Sequence, residues 1–261
     1  MRLRQKSPPR SKRTNPNTNM HPALVERPFV VKELKWETVD TFTLLLTPED
    51  GQPGYEFIPG QWLYLHLLNE DGTSWARAAY SIASAPSRSK EVIELSIKVA
   101  GDFTKRASTL MPDDKVRMQG PFGVFCPPIQ SDKPVVFFAG GIGITPFRSY
   151  VEECVIQGSK HPIVLVYSNR TIEEAPFMAE MQKLAEQQLL IPLLILTRDA
   201  PDDWTEPVGR LNETHIDKLA PVLETAIFYA CGPDEFMATA KALLAAKGVD
   251  VKARYKQESF G

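Results

Sequence analysis

Four short stretches of this 261-residue chain carry residue types that could do chemistry. The first is Gly140-Gly141-Ile142-Gly143-Ile144-Thr145-Pro146, which follows the apolar run 135–139 and opens an amphipathic stretch, 145–157. Glycines let a backbone turn tightly and come close to a ligand. A helix start offers free N–H groups and a positive dipole end to a pyrophosphate, and Pro146 suits a first helical turn. The plainer reading is a strand-to-helix turn without a ligand, and G-G-x-G-x-T-P is not the dinucleotide fingerprint G-x-G-x-x-G. The second stretch is Cys231-Gly232-Pro233, after the apolar run 226–230. Ligands of open parallel sheets bind beyond the carboxyl ends of strands, so Cys231 either faces a cofactor or fills structure. The third is Tyr80-Ser81, a ring able to stack on a flat aromatic group and a hydroxyl for its polar atoms; the alternative is an ordinary core tyrosine. The fourth is Gly101-Asp102-Phe103-Thr104, where helix-start amides and the Thr104 hydroxyl suit a second phosphate, or form a simple cap.

The elements that must position these groups change character along the chain. Residues 1–27 are rich in Arg, Lys, Pro, Ser and Asn, lack an apolar signal core, and read as a disordered basic tail with Met20 a candidate start; a basic arm for a partner or nucleic acid and an organelle transit peptide are the alternatives. From 28 to 128 the pattern is β, with alternating runs at 29–36, 41–47, 61–68, 77–83, 91–99 and 115–120 and one helix at 103–110. Turn residues such as PEDGQPG at 48–54 separate them. This spacing predicts an antiparallel six-stranded β-barrel. After a linker at 127–134, residues 133–261 switch to continuous apolar runs alternating with helices. Strands are expected at 135–139, 163–167, 191–197, 226–230 and 249–255, with helices at 145–157, 175–187 and 234–246. That alternation predicts a Rossmann-like α/β domain with a five-stranded parallel sheet.

Composition excludes several classes of function. Hydrophobic residues are 43% and charged residues 24%, ordinary for a globular protein. Lys and Arg number 30 against 32 Asp and Glu, so global charge gives no case for nucleic acid. Cys126, Cys154 and Cys231 are one too few for a four-cysteine iron–sulfur cluster. His21, His66, His161 and His215 show no zinc-type spacing. No apolar run reaches a membrane span. The chain reads as a cytoplasmic protein without a protein-bound metal.

Taken in order, the motifs resemble the ferredoxin–NADP reductase superfamily. Gly120-Pro121-Phe122-Gly123 and the C-terminal Glu258-Ser259-Phe260 extend the resemblance over nearly all of 28–261. It implies an FAD-binding barrel, an NAD(P)H-binding domain, and hydride passing from nicotinamide to flavin. Tyr80 would stack on the flavin and Ser81 would sit near its N5. Gly101, Asp102, Phe103 and Thr104 would hold the FAD pyrophosphate, beside Ile97 and Val99. Gly141, Gly143, Thr145 and Pro146 would line the nucleotide site, with Cys231, Gly232 and Pro233 near the nicotinamide. Glu258 matches the family's acidic residue near the C-terminus, and with Ser81 and Cys231 completes the candidate catalytic set. Phe260 is expected to cover the flavin.

One departure stands out. The family pattern R-x-Y-S places Arg two residues before Tyr, where this chain has Ala78; Arg77 is three before. Side chains of a strand alternate faces, so Arg77 reaches the FAD phosphate only if a bulge intervenes. Otherwise another cation serves, or FAD binds weakly, or FMN replaces it. Arg198 after Thr197, Arg210, and Ser168 with Arg170 lean the nucleotide choice towards NADPH over NADH through contact with a 2′-phosphate, while Asp199, Asp202 and Asp203 weigh against it and suit a free ribose diol. The expected activity is a flavin reductase passing single electrons to a separate redox carrier protein or a diffusible acceptor. The alternative is a non-autonomous flavin-binding subunit of a larger complex.

Overall fold

A computed structural model describes residues 21–205 and 208–259. The expected tail residues 1–20, and Phe260, lie outside the described residues. Residues 21–27, read from sequence as tail, instead pack on the barrel. Pro22–Leu24 forms a 3-10 turn with Ala23 buried, and Gln119 Nε2 donates to Leu24 O at 2.7 Å.

Two separate sheets form, on either side of Pro134. The first contains β1 (Arg27–Trp36), β2 (Thr41–Pro48), β3 (Trp62–Leu68), β4 (Ser74–Ser81), β5 (Ile93–Lys98) and β6 (Lys115–Phe122), in the order β4-β3-β6-β1-β2-β5. All pairs are antiparallel, and a bridge between Ile82 and Leu95 draws the two edges together. Alternation drives the closure. Phe29, Phe42, Leu44, Leu63, Leu65 and Leu95 point inwards and are fully buried. Helix α1 (Asp102–Ala107) follows β5 and is shorter than the expected 103–110. Ser108 and Thr109 hydroxyls donate back to Lys105 O and Arg106 O, the local competition that stops helices.

The second sheet is parallel. Its strands are β7 (Val135–Gly140), β8 (Ile163–Asn169), β9 (Ile191–Leu196), β10 (Ile227–Cys231) and β11 (Tyr255–Glu258), ordered β11-β10-β7-β8-β9. Both faces are covered, which is why β7 is apolar throughout. The helices are α2 (Thr145–Gln157), α3 (Met178–Glu186), α4 (Glu213–Asp217), α5 (Asp234–Ala246) and α6 (Val251–Arg254). The strand expected at 249–255 is corrected by α6. Asp250 accepts from the amides of Lys252 and Ala253, which starts a helical turn and delays the strand to Tyr255.

Candidate functional site

The glycine turn and the Cys231-Gly232-Pro233 turn lie side by side, at the carboxyl ends of the adjacent strands β7 and β10. Their contact is backbone to backbone. A Cβ on Gly143 would stand 2.1 Å from Cys231 O, and one on Gly232 would stand 2.9 Å from Gly140 Cα. No larger residue fits either position. Gly141 differs: its φ is +55°, which favours glycine, and open space lies beyond it. Thr145 is buried and donates to Ile142 O at 3.2 Å, so its hydroxyl holds the turn. Pro146 sits in the first turn of α2, as expected.

A cavity of about 590 Å³ opens against these turns. Gly140, Gly141, Gly232 and Pro233 form one wall, and Ser168, Asn169, Arg170, Thr197 and Arg210 another. Arg198 does not line it, and its amide donates to Arg170 O at 3.0 Å beside it. Sequence reasoning missed Lys98, Asn169, Glu174, Glu235 and Phe236 in this lining. Lys98 comes from the barrel strand β5 and pairs with Asp40 at 2.9 Å. Arg210 pairs with Glu235, and Arg170 with Glu174 at 3.7 Å. Asn169 is buried, yet neither its Oδ1 nor its Nδ2 has a partner of good hydrogen-bond geometry. Tyr167 is close enough to feel that amide, but its hydroxyl donates to Pro176 O. An unsatisfied buried amide in a cavity wall suits a polar ligand.

On the barrel, Tyr80 and Ser81 end the edge strand β4. Tyr80 is half-buried against Phe103 of α1, with ring centroids 6.1 Å apart, and burial pushes its hydroxyl up to about 12. Ser81 pairs with Trp62 and is buried; its hydroxyl has no hydrogen bond among the described residues. Arg77 is on the wrong face. The register runs unbroken from Arg77 opposite His66 to Tyr80 opposite Leu63, so no bulge separates them. Arg77 instead stacks over Tyr64 at 4.3 Å and donates to Gln119 Oε1 at 3.1 Å. The irregularity lies earlier in the strand, where Leu67 pairs with Ala76 and Leu68 with Ser74. It turns Trp75 onto Phe103, and Arg106 covers Trp75 at 4.6 Å.

Gly101 precedes α1 in extended conformation, and the amides of Asp102, Phe103 and Thr104 have no intrahelical acceptor. The Thr104 hydroxyl is committed elsewhere. It accepts from Ala100 N and Gly101 N at 2.8 and 3.0 Å and donates to Gly101 O at 2.9 Å. It therefore shapes the loop rather than offering a proton to a phosphate. Ile97 is buried in the barrel core and its backbone is paired with Phe42 of β2, so it offers a cofactor neither side chain nor free backbone; Val99 is half-buried, and its amide donates to Asp40 O.

Cys231 and Glu258 stand opposite each other at the ends of β10 and β11. Burial, reinforced by Glu258, pushes the Cys231 thiol far above its usual range. Cys231 is therefore a neutral, fully buried thiol and no nucleophile. Burial also raises the carboxyl pKa of Glu258. All three cysteines are buried and unpaired. Among the described residues, no group of His, Cys, Asp or Glu is placed to hold a metal, and no helix is long and apolar enough to cross a membrane.

Comparison with known families settles the kinship. Residues 29–126 match the oxidoreductase FAD-binding domain, and residues 137–242 match the oxidoreductase NAD-binding domain. The chain belongs to the ferredoxin–NADP reductase superfamily. In this chain the FAD-binding domain comes first and the NAD-binding domain second. It is 28% identical to the flavohemoprotein of Vibrio cholerae serotype O1 over 243 residues, covering 90% of this chain and 59% of that protein. It is 26% identical to the NAD(P)H-flavin reductase of Vibrio harveyi over 218 residues, covering 81% of this chain and 88% of that protein. The FAD/NAD-binding domain of nitric oxide dioxygenase from Vibrio cholerae superposes with a TM-score of 0.80 at 26% identity, over 90% of this chain and 98% of that one. The chain spans little more than half the length of the flavohemoproteins it matches.

Proposed function

We propose that this protein takes hydride from NAD(P)H onto FAD and passes electrons singly to a separate redox carrier or a diffusible acceptor. The observation that carries the reading is the cavity built by both domains. Lys98 of the barrel faces the same space as the glycine turn of the parallel sheet. Tyr80, Ser81 and Cys231 lie outside the cavity lining, so in this reading the nicotinamide end of the nucleotide extends past the glycine turn to meet them. When bound, FAD supplies a ring that accepts a hydride and releases electrons one at a time.

The chain's own residues bind, orient and exclude water. In this reading Tyr80 provides a stacking face, and the amides of Asp102 to Thr104 face the pyrophosphate. Asn169 and Ser168 offer hydrogen bonds to the nucleotide. Cys231, neutral and fully buried, backs the turn beside Gly143 against which the nicotinamide is to lie. Glu258 holds its proton to higher pH than an exposed carboxyl would. Orientation is the main contribution available to such a site.

Purified protein should be yellow. It should bleach when NADPH or NADH is added without oxygen, and then reduce ferricyanide. Bound flavin that neither nucleotide bleaches would reject the proposal. The chain is also 30% identical over 200 residues to one component of the Na(+)-translocating NADH-quinone reductase of Marinomonas, covering 70% of this chain and 48% of that protein. This likeness favours a second reading, as one part of a larger assembly. Full bleaching without turnover of any soluble acceptor would select it.

The cavity lining carries three cations, Lys98, Arg170 and Arg210, against two carboxylates, Glu174 and Glu235. Each cation is already paired, Lys98 with Asp40, Arg170 with Glu174 and Arg210 with Glu235, so the lean to NADPH rests on a 2′-phosphate displacing a carboxylate, with Arg210, which lines the cavity, rather than Arg198 as the selector. An exposed charge pair is worth about 1 kcal/mol, so Arg210→Ala should raise the KM for NADPH roughly fivefold. The KM for NADH should stay fixed, and Arg198→Ala should alter neither. Equal effects of Arg210→Ala on both nucleotides would remove it as the selector.

A further inference from the structure

Helix α2 meets the barrel through charge. Arg148, Ser149, Glu152 and Glu153 recur at i, i+1, i+4 and i+5, which places them on one side of the helix. That side is turned to the barrel, and each member finds a directed partner there. Arg148 Nη1 donates to Ala83 O at 2.9 Å and to Glu94 Oε2 at 2.7 Å. Its Nε donates to both oxygens of Glu180 on α3, at 3.1 and 2.9 Å. Ser149 Oγ donates to Ser84 O at 2.7 Å. Glu152 accepts from Ala85 N at 2.7 Å and Arg88 Nη1 at 2.8 Å. Glu153 accepts from Ser87 N at 2.9 Å and Ser87 Oγ at 2.7 Å.

All of these barrel partners except Glu94 belong to the segment 83–88, which begins two residues after Ser81. Glu94 closes the set: its backbone bonds Ala83 N and Ser84 Oγ, and its carboxylate takes Arg88 and Arg148. At the other end, α2 begins with the turn whose Gly143 lies against the Cys231 backbone. A continuous path of short, directed contacts thus runs from Ser81 through 83–88 and α2 to Cys231.

We infer that Arg148 is a positioning residue that fixes the distance between the flavin-side Ser81 and the nicotinamide-side Cys231. The inference rests on the placement of those two residues proposed above. Arg148 joins three pieces at once: the segment after β4, strand β5 and helix α3. Its guanidinium also lies over the Phe177 ring at 4.5 Å, which limits its own movement. An apolar contact between the domains would tolerate sliding, because burial has no direction. Hydrogen bonds of fixed length and angle do not. Buried ion networks add little stability over apolar packing of the same volume, so register is what this one provides.

The test uses the FAD-loaded protein with Arg148→Lys and with the double variant Arg148→Met/Glu94→Gln, which leaves no unpaired charge at that pair. Rapid-mixing measurement of flavin reduction should show the double variant slowed roughly 10- to 100-fold, with FAD affinity and nucleotide KM held within about threefold. The long-wavelength absorbance of stacked flavin and nicotinamide should weaken in parallel, and Arg148→Lys should recover part of both. Amide hydrogen exchange should rise at 83–88 and stay unchanged in β1 and β2. An unchanged rate with unchanged exchange at 83–88 overturns the inference. So does loss of FAD in proportion to rate, which would make Arg148 merely structural. Wild-type protein that neither nucleotide bleaches would refute the hydride reading instead, and exchange at 83–88 would still decide whether Arg148 holds the segment.

Discussion

Ala78→Arg should tighten FAD binding roughly 10- to 150-fold, the worth of about 1.5–3 kcal/mol for a charge-assisted contact to phosphate. Arg77→Ala should leave FAD affinity unchanged. Ala76, Ala78 and Tyr80 pair across to Leu67, Leu65 and Leu63 and so share one face of β4. Arg77 belongs to the other face, held between Tyr64 and Gln119. A cation able to serve a flavin stacked on Tyr80 must share the face of Tyr80, and position 78 is the nearest on it. Ala78 is half-buried at the strand edge, which leaves room for a long side chain with an exposed end. Equilibrium titration of apoprotein with FAD, followed by flavin fluorescence, measures both variants. A loss of FAD affinity in Arg77→Ala, with none gained in Ala78→Arg, would mean that Arg77 swings across the strand on binding.

That case shows where sequence is informative and where it stops. Alternation and turn residues locate the barrel strands, and continuous apolar runs locate β7 to β10. The bounds of α2, Thr145–Gln157, coincide with expectation because both ends carry local signals: the glycine turn before it and left-handed Gly158 after it. Register is a different kind of property. Whether Arg77 faces the flavin depends on one irregularity in β4, and the structure puts that irregularity at Trp75, too early to help. Strand β11 was displaced for an equally local reason, the Asp250 cap.

The partners of the interdomain network were not legible at all. Arg148 and Glu94 are 54 residues apart, and periodicity reports which side of an element is buried without naming what buries it. Lys98 escaped for the same reason, since it sits on a barrel strand yet lines a cavity of the other domain. Asn169 carried a weak signal: it stands at a strand's carboxyl end, between two residues already singled out, where parallel sheets place ligands. The Thr104 hydroxyl misled in the opposite sense, because a residue type suited to phosphate is equally suited to closing its own loop.

Gly143→Ala should reduce nicotinamide-driven flavin reduction at least roughly 100-fold while leaving FAD bound. The added Cβ would meet Cys231 O at 2.1 Å, Cys231 C at 2.5 Å and Gly232 N at 2.8 Å, all backbone atoms that cannot rotate away. The only relief is to part the two turns and carry Cys231 with them. The clashing atoms all belong to the parallel-sheet domain, so the barrel's own grip on its cofactor is not altered and FAD should stay. Cys231→Ala is the gentler companion. The thiol is neutral, so its removal takes away surface and not charge, and reduction should slow with FAD retained and the shape of the pH–rate profile preserved. Glu258→Gln should instead change that shape. Burial raises the pKa of Glu258, so its protonated form persists above the ordinary carboxylate range. If its proton serves the reaction, the wild-type rate falls as pH rises through that raised pKa, and the glutamine variant lacks this fall. Rapid-mixing rates measured from acid to neutral pH separate the three variants. Loss of FAD from Cys231→Ala would make Cys231 a structural residue, and an unimpaired Gly143→Ala would show that the tight packing of the two turns is not what aligns the nicotinamide.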